Sequence, residues 1–143
     1  MSIRFGPGQL EQIRRHGEST YPEECGGLLL GTHQDGVTEV VEVLSLENVR
    51  GDSRHNRVEL APLDTLRAEK RAAALGLGVW GYYHSHPDHP AVPSQFDLEH
   101  APLLDWSYVI VSIRQGQSAE LRSWRLTPGR ERFEEETISE EAN

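Results

Sequence analysis

A chain of 143 residues with a formal charge of −9 and no basic stripe cannot grip phosphates non-specifically, so no nucleic-acid partner is expected. It contains no run of about 18 apolar residues to cross a bilayer, and its MSIRFGPGQL start lacks a basic-then-apolar leader, so a cytoplasmic protein with no membrane partner is expected. Cys25 is the one cysteine and cannot form an internal disulfide, which leaves packing or a metal to hold a single domain over residues 1–143.

In chain order, GQLEQIRRH (8–16) spaces Leu10 and Ile13 as a short first helix would, ending near Gly17. After the break at Ser19–Pro22, the apolar run at 26–32 and the β-branched run at 37–46 predict a hairpin turning at Gln34-Asp35-Gly36. A polar loop (47–55) and a short strand at Arg57–Leu60 precede the strongest helix signal, with Pro62 in its first turn and Gly76 past its end. GVWGYYHSH (78–86) reads as a strand, Pro87–Pro93 as loop, and 94–101 as the opening of another helix. Strands follow at 106–113 and 119–126, and the glutamate-rich segment 130–143, with Phe133 and Ile138, is expected to be a solvated or frayed end. The order predicts a mixed α/β domain around one sheet.

Chemistry concentrates in a few of these elements. His84 and His86 lie two apart on a predicted strand, so both imidazoles project from one face while Ser85 points away. Asp97, entering a helix after a loop, can add a third ligand, and three N/O ligands with an open fourth position suit a catalytic zinc. A carboxylate is also needed to move protons, and Glu23 or Glu24 could supply it; spacing alone does not choose between them. Each element has a plainer reading: a structural histidine pair, a solvated glutamate pair, and a capping box made by Ser94 and Asp97.

Taken together, PEECGGLLLG (22–31) and HSHPDHPAVPSQFD (84–97) resemble the two signature segments of the JAMM (MPN-plus) metalloproteases. That pattern is an upstream Glu, then His-Ser/Thr-His, seven residues, Ser, two residues, Asp, and it is met here without a gap. The surroundings, including GYYHSHP, SYVIVS and RSWRL, are similar to small bacterial members, and the resemblance runs from about Tyr21 to Leu126. It implies an MPN/JAMM-type domain with a mixed central sheet flanked by helices, in a cytidine-deaminase-like layering. It implies one Zn2+ per chain held by His84, His86 and Asp97, with Ser94 hydrogen-bonding the oxyanion. Aligning Gly27–Gly31 with the family's strand makes Glu24 the general base.

The resemblance further implies hydrolysis of a peptide or isopeptide bond after the C-terminal Gly-Gly of a ubiquitin-like β-grasp sulfur-carrier protein, releasing cysteine or another attached group. The loop Glu47–His55 and the segment Pro87–Pro93 are the expected substrate contacts; a homodimer is an open expectation. Two alternatives stand beside this reading. One is a non-catalytic MPN scaffold, although such domains usually lack ligands that this chain keeps. The other is a metallo-β-lactamase-type hydrolase, because residues 84–89 also fit HxHxDH; that fold needs a longer chain and ligands farther downstream than His100, the last histidine.

Overall fold

Strand formation here follows side-chain alternation, and the two faces it creates are both covered. A computed structural model describes residues 1–142. Strand β1 (Ser2–Phe5) leads into helix α1 (Gln9–Thr20), followed by strands β2 (Gly26–Gln34) and β3 (Val37–Leu46). Helix α2 (Pro62–Ala74), strand β4 (Gly78–Pro87) and the short helix α3 (Gln95–His100) come next, then strands β5 (Ser107–Arg114), β6 (Gln117–Leu126) and β7 (Phe133–Glu140). The strands close into a barrel in the order β1-β3-β2-β4-β5-β6-β7, with β7 running parallel to β1. This is the expected mixed sheet with flanking helices, its two margins joined.

Leu29, Tyr83, Val109 and Val111 point to one face and pack with Ile3, Phe5 and Ile13 of α1. Their neighbours Leu28 and Leu30 point to the other and meet Ala68 and Ala72 of α2. Gly17 sits inside α1 rather than at its end, because a Cβ there would stand 2.8 Å from the Ile113 side chain; the helix continues through it to Thr20. The β2–β3 turn has positive φ at both Asp35 (54°) and Gly36 (77°), the geometry of a tight hairpin, as read from the sequence. Pro62 starts α2, and Gly76 follows its end at φ 73°, again as expected.

Gly31 lies where the β2 registers shift, and an added Cβ would fall 1.8 Å from the carbonyl oxygen of Glu39. The strand cannot retreat while it is paired on both sides. Gly31→Ala is therefore expected to cost at least about 1–3 kcal/mol, read as a lowered urea midpoint; an unchanged midpoint contradicts the close approach.

Two expectations are corrected, and one strand is added. Residues 57–60 form no strand ladder: Glu59 donates its N–H to the Asn48 side chain and accepts from Val49 N–H, so a side chain does the work of a neighbouring strand. Strand β1, which was not among the expected elements, pairs with β3 and β7. The segment 130–143, expected to be solvated or frayed, supplies β7, which pairs with β6 and β1; its last residue, Asn143, lies outside the described residues. The physical reason is Glu136, which is buried against Arg125 (Nε–Oε1 2.7 Å) and accepts from the Ser123 hydroxyl at 2.7 Å. A glutamate-rich stretch can enter a sheet when its inward carboxylate meets a cation. No helix among the described residues is long and apolar enough to cross a membrane.

Candidate metal centre

The face shared by Tyr82, His84 and His86 carries the site. His84 pairs across the sheet with Gly26 and Ile110, and the missing side chain at Gly26 leaves room for Val58, whose Cγ2 would be 3.0 Å from a Cβ there. The Nε2 atoms of His84 and His86 are 3.1 Å apart, and each stands 3.3 Å from an Asp97 oxygen, Oδ1 and Oδ2 respectively. Ligands about 2.0–2.1 Å from a tetrahedral ion are separated by roughly 3.3 Å, so this donor set could hold a metal ion of zinc's size and preference. His86 Nδ1 lies 2.8 Å from the Pro90 carbonyl, which fixes the proton on Nδ1 and leaves the Nε2 lone pair facing the convergence point. His84 Nδ1 is buried and has no partner among the described residues.

Asp97 serves two ends at once. The Ser94 hydroxyl oxygen accepts from Asp97 N–H at 3.0 Å while Asp97 Oδ2 accepts from Ser94 N–H at 2.9 Å, a complete capping box at the start of α3. The plainer reading and the ligand reading of these residues are thus both consistent with the fold, since the box aims the carboxylate at the histidines. Burial alone would raise the Asp97 carboxyl, but the charge and hydrogen bond of His84 and the N–H donated by Ser94 act against it, and the carboxyl is held well below the usual carboxylate range. Burial lowers His84, and the Asp97 carboxylate more than reverses this, leaving it raised.

The glutamate pair divides by exposure: Glu23 is exposed, whereas Glu24 is 6% exposed. Its backbone is held from the polar loop, with N–H donated to Arg54 O at 2.6 Å and its carbonyl accepting from Asn48 Nδ2 at 3.1 Å. Burial pushes the Glu24 carboxyl up to about 6, against the opposing pull of His84 and His86. Cys25, next in line, is buried and pushed up to about 11, chiefly by that burial, so it is no thiolate nucleophile. Ser85, turned away from the histidines as alternation requires, accepts from Cys25 N–H at 2.8 Å and ties β4 to β2.

Two cavities meet at Glu24. The first, about 260 Å³, is bordered by His84 and Asp97 and runs under α3; the second, about 300 Å³, is lined by His86, His89 and Ser94. Residues Asn56 and Arg57 border both, just beyond the loop Glu47–His55 that was expected to make contact, while His89, Pro90 and Val92 of the Pro87–Pro93 segment line the second. Arg57 lies over the Phe96 ring at 3.9 Å.

The Pro87–Pro93 segment is pinned, which the sequence reading missed. Ser112 donates to His89 O at 2.6 Å, Ala91 N–H donates to Glu120 Oε1 at 3.0 Å, and Trp124 Nε1 donates to Ala91 O at 3.0 Å. The signal available was the alternation of β6, which puts Glu120 and Trp124 on one face. Asp88, the acid of the rival HxHxDH motif, instead accepts from the Tyr21 hydroxyl (2.6 Å) and Gln115 N–H (2.9 Å), turned away from the histidines.

Comparison with known proteins identifies the family. The chain is 37% identical over 94 residues to the probable TtuB-protein conjugate cleaving protease of Thermus thermophilus, covering 66% of this chain and 60% of that relative. It is 30% identical over 115 residues to the CysO-cysteine peptidase of Mycobacterium tuberculosis, 80% of this chain and 75% of that one. A solution structure of a Salinibacter ruber protein superposes with a TM-score of 0.75 at 44% identity, covering 96% of this chain and 91% of that one. The sequence pattern of the family described as prokaryotic homologs of the JAB domain matches residues 7–127, which overturns the metallo-β-lactamase alternative: this chain belongs to the prokaryotic JAB-domain family, of JAMM type.

Proposed function

We propose that this protein is a zinc-dependent peptidase that cleaves after the C-terminal Gly-Gly of a ubiquitin-like β-grasp sulfur-carrier protein or its conjugate, releasing cysteine or another group attached through an amine. The observation that carries this reading is the convergence of His84, His86 and Asp97 beside a buried Glu24. The two relatives named above, a conjugate-cleaving protease and a carrier-cysteine peptidase, support the substrate class.

In this reading His84, His86 and Asp97 hold one Zn2+, which when bound polarises the scissile carbonyl and acidifies water. Glu24 takes the proton from the attacking water and returns it to the leaving nitrogen, so that a C–O bond forms, the C–N bond breaks and an amine departs. Burial raises the Glu24 carboxyl in the metal-free site, the direction that favours holding the proton for return to the amine. The Ser94 oxygen accepts from Asp97 N–H, which leaves its own O–H to donate to the developing oxyanion, a contribution of about 10²–10³ in rate where such donors have been removed. Two glycines make a tail thin enough for the cleft. Val58, in the extended segment at its edge, has backbone N–H and C=O without partners among the described residues, and an extended tail can pair with them.

The test is hydrolysis of a Gly-Gly carrier extended by cysteine or a short peptide, followed by intact mass with the zinc-loaded protein. Release at the second glycine is expected. A protein that purifies without zinc and cuts none of these carriers would instead be the scaffold alternative. Trp124→Phe, which removes the donor to Ala91 and keeps a ring, is expected to retain zinc and lower kcat/KM by up to about tenfold; no change would mean that the Ala91 contact does not position Ser94.

A further inference from the structure

Glu24, Asn56 and Arg57 border both cavities, so a bond broken beside Glu24 lies at their junction. Val58, the proposed pairing edge for the carrier tail, borders the first cavity and not the second. A chain running past Glu24 therefore leaves the first cavity for the second, and the group on the nitrogen side of the scissile bond enters the second. That cavity is rich in donors: Asn56, Arg57, His89 and Ser94 offer N–H and O–H groups beside His86, and Glu24 is the one acid among its lining residues.

Arg57 is half-buried in a chain with 23 acidic and 14 basic side chains. Arg50, in the preceding loop, pairs with Asp52 at 3.3 Å, whereas Arg57 has no carboxylate partner among the described residues and donates from Nη1 to the carbonyl of its neighbour Asn56 at 2.8 Å. Its guanidinium carbon lies 3.9 Å from the Phe96 ring centroid, and a stacked guanidinium keeps the N–H groups at its edge free for an anion. His89 borders only the second cavity, and its ring makes no hydrogen bond among the described residues, although its carbonyl is fixed by the Ser112 hydroxyl at 2.6 Å. We propose that Arg57, with His89, binds the free α-carboxylate of a single residue attached to the carrier's C-terminus, so that the protein releases one amino acid and disfavours lysine-linked conjugates. The inference rests on the hydrolytic reading above and deepens it by naming the leaving group. Only the α-carbon separates that carboxylate from the scissile nitrogen, so its reader must stand beside Glu24, as Arg57 does. A lysine ε-amine brings a methylene chain instead and leaves the cation unpaired.

The experiment compares carriers ending Gly-Gly-Ala as the free acid and as the amide, together with Gly-Gly joined to the ε-amine of lysine within a peptide, using zinc-loaded protein. The free acid is expected to show kcat/KM at least about tenfold above the other two, as loss of a hydrogen bond to a charged group implies. Arg57→Gln is expected to bring the acid-to-amide ratio to within about twofold of one, and Arg57→Lys, which keeps the charge and loses the fork, to retain part of it. The ratio is the readout because any general loss from the Phe96 contact falls on both carriers alike. Acid and amide rates within about twofold in the parent, a preference for the lysine linkage, or a ratio that survives Arg57→Gln would overturn the proposal while leaving the hydrolytic reading intact. Calorimetric binding of the tripeptide Gly-Gly-Ala against its amide separates the two failures. If no carrier is cut, the hydrolytic reading fails and binding decides the site: tighter binding of the acid that is lost in Arg57→Gln sustains it, and equal binding, or a difference that survives the substitution, overturns it.

Discussion

Glu24→Gln is expected to keep its zinc and lose turnover by about 10²–10⁴-fold, the range supplied by a positioned acid–base group. The substitution preserves the shape of a side chain that is 6% exposed and leaves the backbone bonds to Arg54 and Asn48 in place. The metal donors lie on β4 and α3 while Glu24 precedes β2, so ligand geometry does not depend on it. Loss of both zinc and turnover would make Glu24 a structural or ligating group. Retention of both would move the base elsewhere, and Glu23, exposed on the other side, is not placed to replace it.

The largest expected loss of stability lies far from the metal centre. Arg125 and Glu136 side chains are each 1% exposed, and the guanidinium reaches the Thr38 hydroxyl at 3.0 Å and the Asp105 carbonyl at 3.1 Å. One ion pair thus joins β6, β7 and β3 where the barrel closes. Glu136→Ala leaves a buried cation without its anion, expected to cost roughly 3–5 kcal/mol, a fall in Tm of about 6–20 °C at 2–4 °C per kcal/mol. Replacing both partners with apolar residues of similar volume, Arg125→Met with Glu136→Leu, is expected to recover most of the loss. A single variant that melts like the parent would show that the pair does not hold the closure.

How much of this was legible beforehand depends on the range of the interactions. Strand alternation is local, so His84 and His86 could be placed on one face from their spacing and Ser85 on the other, where it bonds Cys25. The hairpin at Asp35-Gly36 and the Pro62 and Gly76 helix limits were also read from neighbouring residues. Asp97 was ambiguous from spacing because a cap and a ligand need the same carboxylate, and here the capping box turns that carboxylate toward the histidines.

The choice between Glu23 and Glu24 was a matter of burial, which depends on Arg54 and Asn48 holding the loop and so is not encoded in the dipeptide. Strand β7 was missed because its inward Glu136 looks solvated until Arg125, on another strand, is known to face it. The extended segment 57–60 was mistaken for a strand because its β-branched and apolar residues suit one, while the partner is the Asn48 side chain rather than a ladder. The anchors at Glu120 and Trp124 sit about 30 residues from Ala91, beyond any local pattern.

The most direct test of the central claim is zinc content by elemental mass spectrometry, on the parent protein and on Asp97→Ala, with anomalous diffraction at the zinc edge to locate the ion. One zinc per chain between His84, His86 and Asp97, lost in the variant, is the predicted result. A parent protein that binds no zinc after dialysis against it, or one whose zinc lies elsewhere and survives Asp97→Ala, would contradict the metal centre and the hydrolytic function built on it.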